Sequence, residues 1–427
     1  MESMILFIAA FLFLLLAGAP IFFAMGGSAI LFYFLEASFF IPDVPDTFFW
    51  GMNSAGLTAI PFFILAGEIM NSAGITDKIM AFANRLVGHF KGGMAYVNVL
   101  TSMLFAGISG VAISDAAALG KVFINSMDRD GYDTDFSAAV TAASSIQGPL
   151  IPPSVNAVVY ASIMGLSVGG LFMAMLLPGV LVGVGDMIII FFKRADMPKH
   201  ESNFMFKELL KSFWGAFPAL LMPIIVVGGI LLGVFSPTEA GSIASFYGLI
   251  LGVFFLKTLN VKKVIDCLKG TLKTTSSLLF LVGAATVLSR AVTLTGVPQL
   301  LVKLITGMTD SYYVAMFILL ILFLFIGMWL NPGSALILFA PILYPIAQTF
   351  DVHPLLFGTF MILCLSIGLL TPPVGVCLYI VADIANRPFE KIVKATMPFI
   401  AINILLAIAI IFFPEIVLYI PRILGLI

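Results

Sequence analysis

Charged residues are scarce in this sequence of 427 residues: lysine, arginine, aspartate and glutamate make up 10% of the chain, and 61% of it is apolar. Soluble domains contain about 25% charged residues, which cover their surfaces. The composition therefore excludes a soluble protein or a cytosolic enzyme and favours a polytopic membrane protein. With 21 basic and 22 acidic residues, the chain also lacks the basic excess that nucleic-acid binding requires. We expect no nucleic-acid partner.

Cysteine and histidine are equally rare, and their spacing matches neither a disulfide framework nor a set of metal ligands. The residues concerned are Cys267, Cys364, Cys377, His89, His200 and His353. We interpret them as buried or loop residues, and expect no cysteine or histidine metal site, no haem and no other organic cofactor. The chain also contains no GxxxxGK[ST] motif for ATP hydrolysis. An ion gradient is therefore the natural energy source.

Apolar segments long enough to cross a bilayer core of about 30 Å recur along the chain. They are 4–35, 54–77, 136–162, 171–192, 213–235, 238–256, 274–297, 355–382 and 392–414. The first of them begins like a signal peptide, but Glu2 replaces the basic start and apolar sequence continues to Leu35. We interpret it as an uncleaved membrane segment. The predicted fold class is an all-α polytopic membrane protein.

The two halves of the sequence align at an offset of 220 residues, which indicates an internal repeat. The matching pairs are Gly107 and Gly327, Ser114 and Ser334, Gly148 and Gly368, Pro152-Pro153 and Pro372-Pro373, and Pro178 and Pro398. Loop 37–53 has no lysine or arginine, whereas its counterpart 257–273 has five lysines. Cytoplasmic loops are enriched in these residues, so the repeats are predicted to have opposite topology. The predicted parts are a first repeat (1–195), a cytoplasmic connection with a linking helix (196–237) and a second repeat (238–427).

Two further apolar stretches, about 94–120 and 314–340, are interrupted near their middles and are too short for two crossings. Basic residues flank the first on one predicted side, so we interpret both as re-entrant hairpins. Segments 136–162 and 355–382 each contain Pro-Pro, which predicts broken helices. The freed carbonyl groups favour a hard cation such as Na⁺. A packing kink satisfied by neighbouring helices is the alternative.

Polar side chains near these breaks are candidate ligands, with ordinary helix capping as the alternative for Ser114 and Ser334. The candidates are Ser109, Ser114, Ser154, Asn331, Ser334 and Thr371. Ionisable residues within the apolar segments are functional candidates by default. The alternative role for Asp115 is that of a helix N-cap. Glu68 and Arg290 lie towards the ends of their segments, so the alternative for them is that the charged group extends to water at the membrane surface. Glu239, in Ser236-Pro-Thr-Glu-Ala240, is predicted to cap a helix.

Six motifs occur along the chain in a specific order: Ile60-Pro-Phe-Phe-Ile-Leu-Ala-Gly67, Gly107-Ile-Ser-Gly110, Gly148-Pro-Leu-Ile-Pro-Pro-Ser154, Ser236-Pro-Thr-Glu-Ala240, Gly327-Met-Trp-Leu330 and Thr371-Pro-Pro-Val-Gly375. Together they resemble the large membrane subunit of tripartite ATP-independent periplasmic (TRAP) transporters, over essentially the full length. The resemblance implies an elevator-type, Na⁺-coupled importer of an organic acid anion, of the sialic acid or C4-dicarboxylate class. It also implies the bacterial cytoplasmic (inner) membrane, a small four-helix membrane subunit and a periplasmic substrate-binding protein.

The resemblance further implies two Na⁺ sites and a substrate site at the hairpins. The first Na⁺ site comprises Ser109, Gly148, Ile151 and Pro152, and the second comprises Gly327, Gly368, Thr371 and Val374. Ser109, Ser154 and Asn331 are the implied substrate contacts. Family members commonly carry an acidic residue at the position of Asn331, so this chain departs from the pattern there.

Three other functions remain as alternatives. A stand-alone ion-coupled anion transporter of similar inverted-repeat fold would work without a binding protein. A channel would use similar hairpins but would not show saturable, Na⁺-dependent uptake. An intramembrane enzyme would need a nucleophile with its base, or a metal site. The cysteines and histidines are misplaced for these, so we expect no enzymatic activity.

Overall fold

The structure is a computed structural model that describes residues 6–7, 9–11, 13–14, 17–54, 56–198 and 205–427. Within these residues the chain is helical and contains no β-strand, which confirms the all-α prediction. Before the second half, the helices are α1 (Ile21–Glu36), α2 (Val44–Met52), α3 (Ala59–Ser72), α4 (Ile75–Val87), α5 (Gly93–Ser109), α6 (Ala112–Arg129), α7 (Thr134–Ser145), α8 (Val155–Met164), α9 (Val168–Lys193) and α10 (Phe206–Leu231).

The second half begins with a helix that Ser236 and Glu239 cap reciprocally, as predicted. Its helices are α11 (Pro237–Ile250), α12 (Val261–Thr295), α13 (Val297–Met308), α14 (Tyr312–Trp329), α15 (Pro332–Gln348), α16 (Pro354–Gly368), α17 (Val376–Ala385), α18 (Phe389–Phe412) and α19 (Glu415–Ile423). The predicted connection 196–237 includes residues 199–204, which lie outside the described residues. The predicted segment 4–35 is also described only in part.

Among the described residues, six helices are long and apolar enough to cross a membrane, or seven if α3 and α4, bent by 70°, form one span. Large apolar side chains on these helices face outward: Trp214 is 61% exposed and Ile321 is 67% exposed. Soluble proteins rarely expose extended apolar surface, whereas lipid tails cover it without cost. The chain is therefore a multi-pass membrane protein.

Helices recur along the chain at an offset of about 220 residues. The helix pairs α5 and α14, α6 and α15, α7 and α16, α8 and α17, and α9 and α18 all follow it. The packing recurs too, because α6 packs against α17 in the same way that α15 packs against α8. Each helix-turn-helix unit of one half is thus held against the broken helix of the other half.

The predicted hairpin bounds are too short. The second arms do not end near 120 and 340, because α6 continues to Arg129 and α15 continues to Gln348. In α6, apolar residues such as Phe123 and Met127 are buried on one face, while Lys121 on the other face is exposed. A search for uninterrupted apolar runs underestimates the length of such an amphipathic helix.

The predicted broken helices each contain a break that includes the Pro-Pro pair. The first lies between Ser145 and Val155, and the second lies between Gly368 and Val376. Proline lacks the N–H donor that a continuing helix needs, so helical hydrogen bonding stops at both positions. The segments extend slightly beyond the predicted 136–162 and 355–382.

Candidate functional site

The turn of the first helix-turn-helix unit lies directly against the first break. Gly110, which ends α5, has a φ of +65°. A Cβ atom at Gly110 would also lie 2.9 Å from the carbonyl oxygen of Pro153. Only glycine combines this backbone conformation with so close an approach. The position of Gly110 therefore fixes the turn against the broken helix.

Ser109 and Asp115 meet across this turn. The Ser109 hydroxyl donates a hydrogen bond to Oδ1 of Asp115, whose side chain is fully buried. The other carboxylate oxygen of Asp115, Oδ2, makes no hydrogen bond among the described residues. A Cβ at Gly148 would lie 2.5 Å from this oxygen, so Oδ2 points at the backbone of the break. The structure thus brings Ser109 and Gly148 together around the Asp115 carboxylate.

The N-cap role considered for Asp115 is wrong. The N-cap of α6 is Val111, and no side chain caps this helix. The Asp115 carboxylate instead turns back towards Ser109. Burying a carboxylate with one unpaired oxygen is costly, so this oxygen is available to a ligand.

Carbonyl groups of the first break lie beside this carboxylate. Within residues 56–198, no backbone N–H donates to the carbonyl oxygens of Gly148, Ile151 or Pro152, and all three residues are buried. A Cβ at Gly107 would lie 3.3 Å from the Pro152 carbonyl oxygen, so this oxygen faces the end of α5. Buried carbonyl groups are normally paired. The first break therefore presents oxygen atoms that have room for a partner.

Ser154 closes the first break and begins the helix after it. Its Oγ accepts a hydrogen bond from the Ala157 N–H at 3.3 Å and donates one to the Pro149 carbonyl oxygen at 2.5 Å. The side chain is 1% exposed. Ser154 thus fixes the geometry of the break in addition to any contact with a substrate.

Asn331 is the N-cap of α15, where its Oδ1 accepts a hydrogen bond from the Gly333 N–H at 3.1 Å. The residue is exposed. A Cβ at Gly333 would lie 3.5 Å from Oδ1 of Asn156, which follows Ser154 by two residues. The second turn and the end of the first break are therefore neighbours, as the predicted substrate site requires.

At the second break, Gly327 of α14 lies against Gly368, the last residue of α16. A Cβ at Gly327 would lie 3.2 Å from Cα of Gly368 and 2.9 Å from the Leu365 carbonyl oxygen. Thr371 donates from its hydroxyl to the Ile367 carbonyl oxygen at 2.9 Å, which leaves the hydroxyl lone pairs free to accept. In the described chain no backbone N–H donates to the Thr371 or Val374 carbonyl oxygens. The four predicted residues therefore lie around one break.

Glu68 and Arg290 contact other elements. A Cβ at Gly270 of α12 would lie 3.8 Å from the Glu68 carboxylate. Arg290 pairs with Asp43 at 3.3 Å and donates to the Thr47 hydroxyl at 2.9 Å. Arg290 on α12 thus contacts Asp43 and α2, and the Glu68 carboxylate lies beside α12.

A cavity of about 410 Å³ lies between α2 and α12 on one side and α8 and α15 on the other. Trp50, Ser162, Thr286, Ile337 and Pro341 are among the residues that line it, and none of the predicted site residues does.

The residues of this chain match the model of the family "Tripartite ATP-independent periplasmic transporter, DctM component" over residues 8–416. The chain belongs to the DctM family. It is 37% identical to the sialic acid TRAP transporter large permease protein SiaM of Vibrio cholerae over 96% of both chains. It is 33% identical to the C4-dicarboxylate TRAP transporter large permease protein DctM of Pseudomonas aeruginosa over 87% of both. The resemblance to TRAP large subunits is thus confirmed, and this DctM-family chain is a transport permease and not an enzyme.

The fold of this DctM-family chain also resembles a solved structure of a transporter with little sequence similarity. The YdaH transporter of Alcanivorax borkumensis superposes with a TM-score of 0.63 over 88% of both chains, at 14% identity. The shared fold is therefore detectable where the sequences have diverged.

One cluster of polar side chains was not predicted from the sequence. Gln147, Asp186 and Asn403 are buried together where the first break meets α9 and α18. An aspartate within the apolar segment 171–192 was the available signal, because a membrane helix rarely carries one without a reason.

Proposed function

We propose that this chain is the large transport subunit of a Na⁺-coupled importer of an organic acid anion in the bacterial cytoplasmic (inner) membrane. The observation that carries the proposal is the arrangement around Asp115. One oxygen of this buried carboxylate has no hydrogen-bond partner in the described chain and faces Gly148, beside carbonyl groups that accept no backbone hydrogen bond. A set of oxygen atoms around one negative charge suits a hard monovalent cation.

The first Na⁺ site would use Ser109, Gly148, Ile151 and Pro152, with Asp115 supplying the charge. The second would use Gly327, Gly368, Thr371 and Val374, through carbonyl groups and one hydroxyl. Each cation would satisfy carbonyl oxygens that accept no backbone hydrogen bond in the described chain, such as those of Pro152 and Val374. Its binding would therefore stabilise one conformation of the two neighbouring segments. The anion would then bind well only where the cations are bound, which is the physical basis of coupling.

The substrate would contact Ser109, Ser154 and Asn331 between the two turns. The closeness of Asn156 and Gly333 supports a shared site there. The names of the two relatives described above give sialic acid and C4-dicarboxylates as substrates of those proteins, and we propose that the substrate of this chain belongs to one of these two classes. Asn331 would supply a neutral amide, which repels an anion less than a carboxylate does.

The proposed movement is of the elevator type. The two helix-turn-helix units, re-entrant from opposite faces, and the two broken helices would move together against a static remainder. Two observations support this division. The α6–α17 and α15–α8 contacts join these elements across the repeats, and the 410 Å³ cavity lies between α8 and α15 on one side and α2 and α12 on the other.

Membership of the DctM family supports two partners for this chain, a small four-helix membrane subunit and a periplasmic substrate-binding protein. The binding protein would capture the anion and deliver it to the outward-facing site. The alternative is a stand-alone ion-coupled transporter of the same fold. It would take the anion directly from solution and would need no binding protein.

The test is uptake of radiolabelled sialic acid and succinate into proteoliposomes that contain this chain and its small subunit. Each substrate is measured with an inward Na⁺ gradient or with K⁺ in its place, and with or without the binding protein. Empty liposomes are the control. Uptake of one substrate only with both Na⁺ and binding protein supports the proposal. Na⁺-driven uptake that ignores the binding protein supports the stand-alone alternative.

A further inference from the structure

Three polar side chains lie together in the apolar interior, where the first break meets α9 and α18. Gln147 and Asp186 are fully buried, and Asn403 is 1% exposed. Asn403 donates from Nδ2 to Oδ1 of Asp186 at 3.4 Å. Gln147 lies close enough to the same carboxylate to interact with it. Three elements thus converge here: the first break, α9 and α18.

The position of Gln147 is fixed by close packing. A Cβ at Gly183, one turn before Asp186 on α9, would lie 3.2 Å from Nε2 of Gln147. The Gln147 carbonyl oxygen accepts hydrogen bonds from the Leu150 and Ile151 N–H groups, at 3.0 and 2.8 Å. The backbone of the break therefore holds Gln147 in place while its amide faces α9.

Most polar atoms of this cluster have no partner. Among the described residues, Oδ2 of Asp186, Oδ1 of Asn403 and both amide atoms of Gln147 make no hydrogen bond. An ionised carboxylate in an apolar interior is costly unless it is paired. Asp186 accepts a long hydrogen bond from Asn403, and Gln147 lies beside the same carboxylate. The cluster is therefore stable only with a proton or another cation bound at Asp186.

The oxygen atoms that could act as ligands in this cluster favour a hard cation over a proton. A proton on Asp186 would satisfy at most one of the two amide oxygens, Oε1 of Gln147 and Oδ1 of Asn403. A cation accepts all three side-chain oxygens at once, and carboxylate and amide oxygens are the ligands that hard cations prefer. The Gln147 amide can turn its oxygen to either side, because its two ends are nearly alike in shape.

The fold does not require these polar residues. At the offset of 220, Gln147 corresponds to Ile367 and Asp186 corresponds to Leu406. Ile367, near the end of α16 beside the second break, is fully buried. The repeat-related positions of Gln147 and Asp186 thus carry apolar side chains, so these two polar residues serve something other than packing.

We propose that Asp186, Gln147 and Asn403 form a third cation site, which binds Na⁺ beside the first break. Gln147 is bonded directly to Gly148, so occupation of this site holds the backbone that also contributes to the proposed first Na⁺ site. The inference rests on the proposed Na⁺ coupling and adds one Na⁺ per chain to the two at the hairpins.

The test is the number of Na⁺ ions bound per chain, measured with ²²Na⁺ on the purified complex with the small subunit. Asp186→Asn keeps the size of the side chain and removes its charge. The expected result is one Na⁺ fewer per chain at a concentration that saturates the unchanged protein. The matched control is Thr396→Ala, because Thr396 is fully buried on α18 and donates only to the Ile392 carbonyl oxygen of its own helix. It should leave the count unchanged.

A second variant covers the case in which Asp186→Asn fails to fold. Gln147→Ile with Asp186→Leu copies the residues of the repeat-related positions, and replacement of a buried charge by well-packed apolar residues is often tolerated. This double variant should fold and also bind one Na⁺ fewer, with Na⁺-driven uptake reduced at least tenfold at low Na⁺.

Each outcome decides between the two proposals. If the variants bind as many Na⁺ ions as the unchanged chain, the third site is wrong while Na⁺ coupling stands. If only the pH dependence of uptake changes, the site binds a proton and the inference is overturned. If the unchanged chain binds no Na⁺, the proposed function fails and the inference fails with it.

Discussion

Gly327 and Gly368 meet backbone to backbone where α14 crosses the end of α16: a Cβ at Gly327 would lie 3.2 Å from Cα of Gly368. This contact sets how closely the second helix-turn-helix unit approaches the second break. The proposed second Na⁺ site takes its ligands from both of these segments. Their separation at this contact therefore determines whether the ligands are close enough to bind one ion.

Gly368→Ala should therefore destabilise the protein and impair Na⁺ binding. The added methyl group has no room beside Gly327, and overpacking of this kind costs about 1–3 kcal/mol. Thermal unfolding of the purified complex measures the change. Gly215→Ala is the control, because a Cβ at Gly215 in α10 meets nothing within 4 Å. Equal melting temperatures for the two variants would contradict the account.

Thr371→Ala should raise the Na⁺ concentration for half-maximal uptake about tenfold, the effect of losing about 1.4 kcal/mol of binding free energy. The hydroxyl is the one side-chain oxygen proposed for the second Na⁺ site. Thr371→Ser keeps the hydroxyl, so its Na⁺ concentration for half-maximal uptake should be close to that of the unchanged protein. The two variants are compared by Na⁺ titration of uptake at equal membrane abundance. An unchanged half-maximal concentration in Thr371→Ala would remove Thr371 from the site.

Ser154→Ala should lose substrate affinity beyond its structural cost. Ser154 caps α8, so the substitution costs about 1 kcal/mol of stability on capping grounds alone. Ser167 is the matched control, because it caps α9 by accepting from the Gly170 N–H at 3.1 Å. Both alanine variants should be similarly less stable, but only Ser154→Ala should raise the KM for the anion. The substrate role would be refuted by equal KM values.

The stability of the chain should fall in mildly acidic solution because of His353. Burial, with Arg422 nearby, lowers the pKa of His353 from its ordinary value. Its Nδ1 accepts a hydrogen bond from the Leu355 N–H at 3.2 Å, and protonation removes this acceptor. The unfolded chain binds the proton more readily, so stability is full above about pH 6.5 and is lost as the pH falls towards the lower folded value.

His353→Asn keeps an N-cap acceptor and does not titrate. Melting temperatures between pH 7.5 and 5 should therefore fall less steeply for this variant than for the unchanged chain. Parallel curves would show that His353 does not contribute to the acid dependence.

The sequence was sufficient to predict the helical fold, the repeat and the positions of both breaks, because each depends on local features. Proline interrupts a helix wherever it stands inside one, and the Pro-Pro pairs at 152–153 and 372–373 mark both breaks. Helix ends were predicted less well. The polar residues of α6 ended the predicted hairpin at 120, although the amphipathic helix continues to Arg129.

Contacts between side chains that are distant in the sequence could not be predicted. Nothing in the order of residues distinguishes an N-cap from a buried carboxylate that turns back to Ser109, as Asp115 does. The approach of Asp186 to Asn403, 217 residues later, depends on how α9 packs against α18. Such contacts follow from tertiary packing, which local pattern does not determine.

The most direct test of the central claim is whether a Na⁺ gradient alone drives accumulation of the anion. Proteoliposomes with the complete transporter begin with equal substrate inside and outside, and K⁺ with valinomycin holds the membrane potential at zero. The account predicts that an inward Na⁺ gradient concentrates the substrate inside and that a Na⁺ ionophore abolishes the accumulation. It also predicts that Asp115→Asn prevents it. Accumulation that is unchanged by the ionophore, or none with an intact gradient and active binding protein, would contradict Na⁺ coupling.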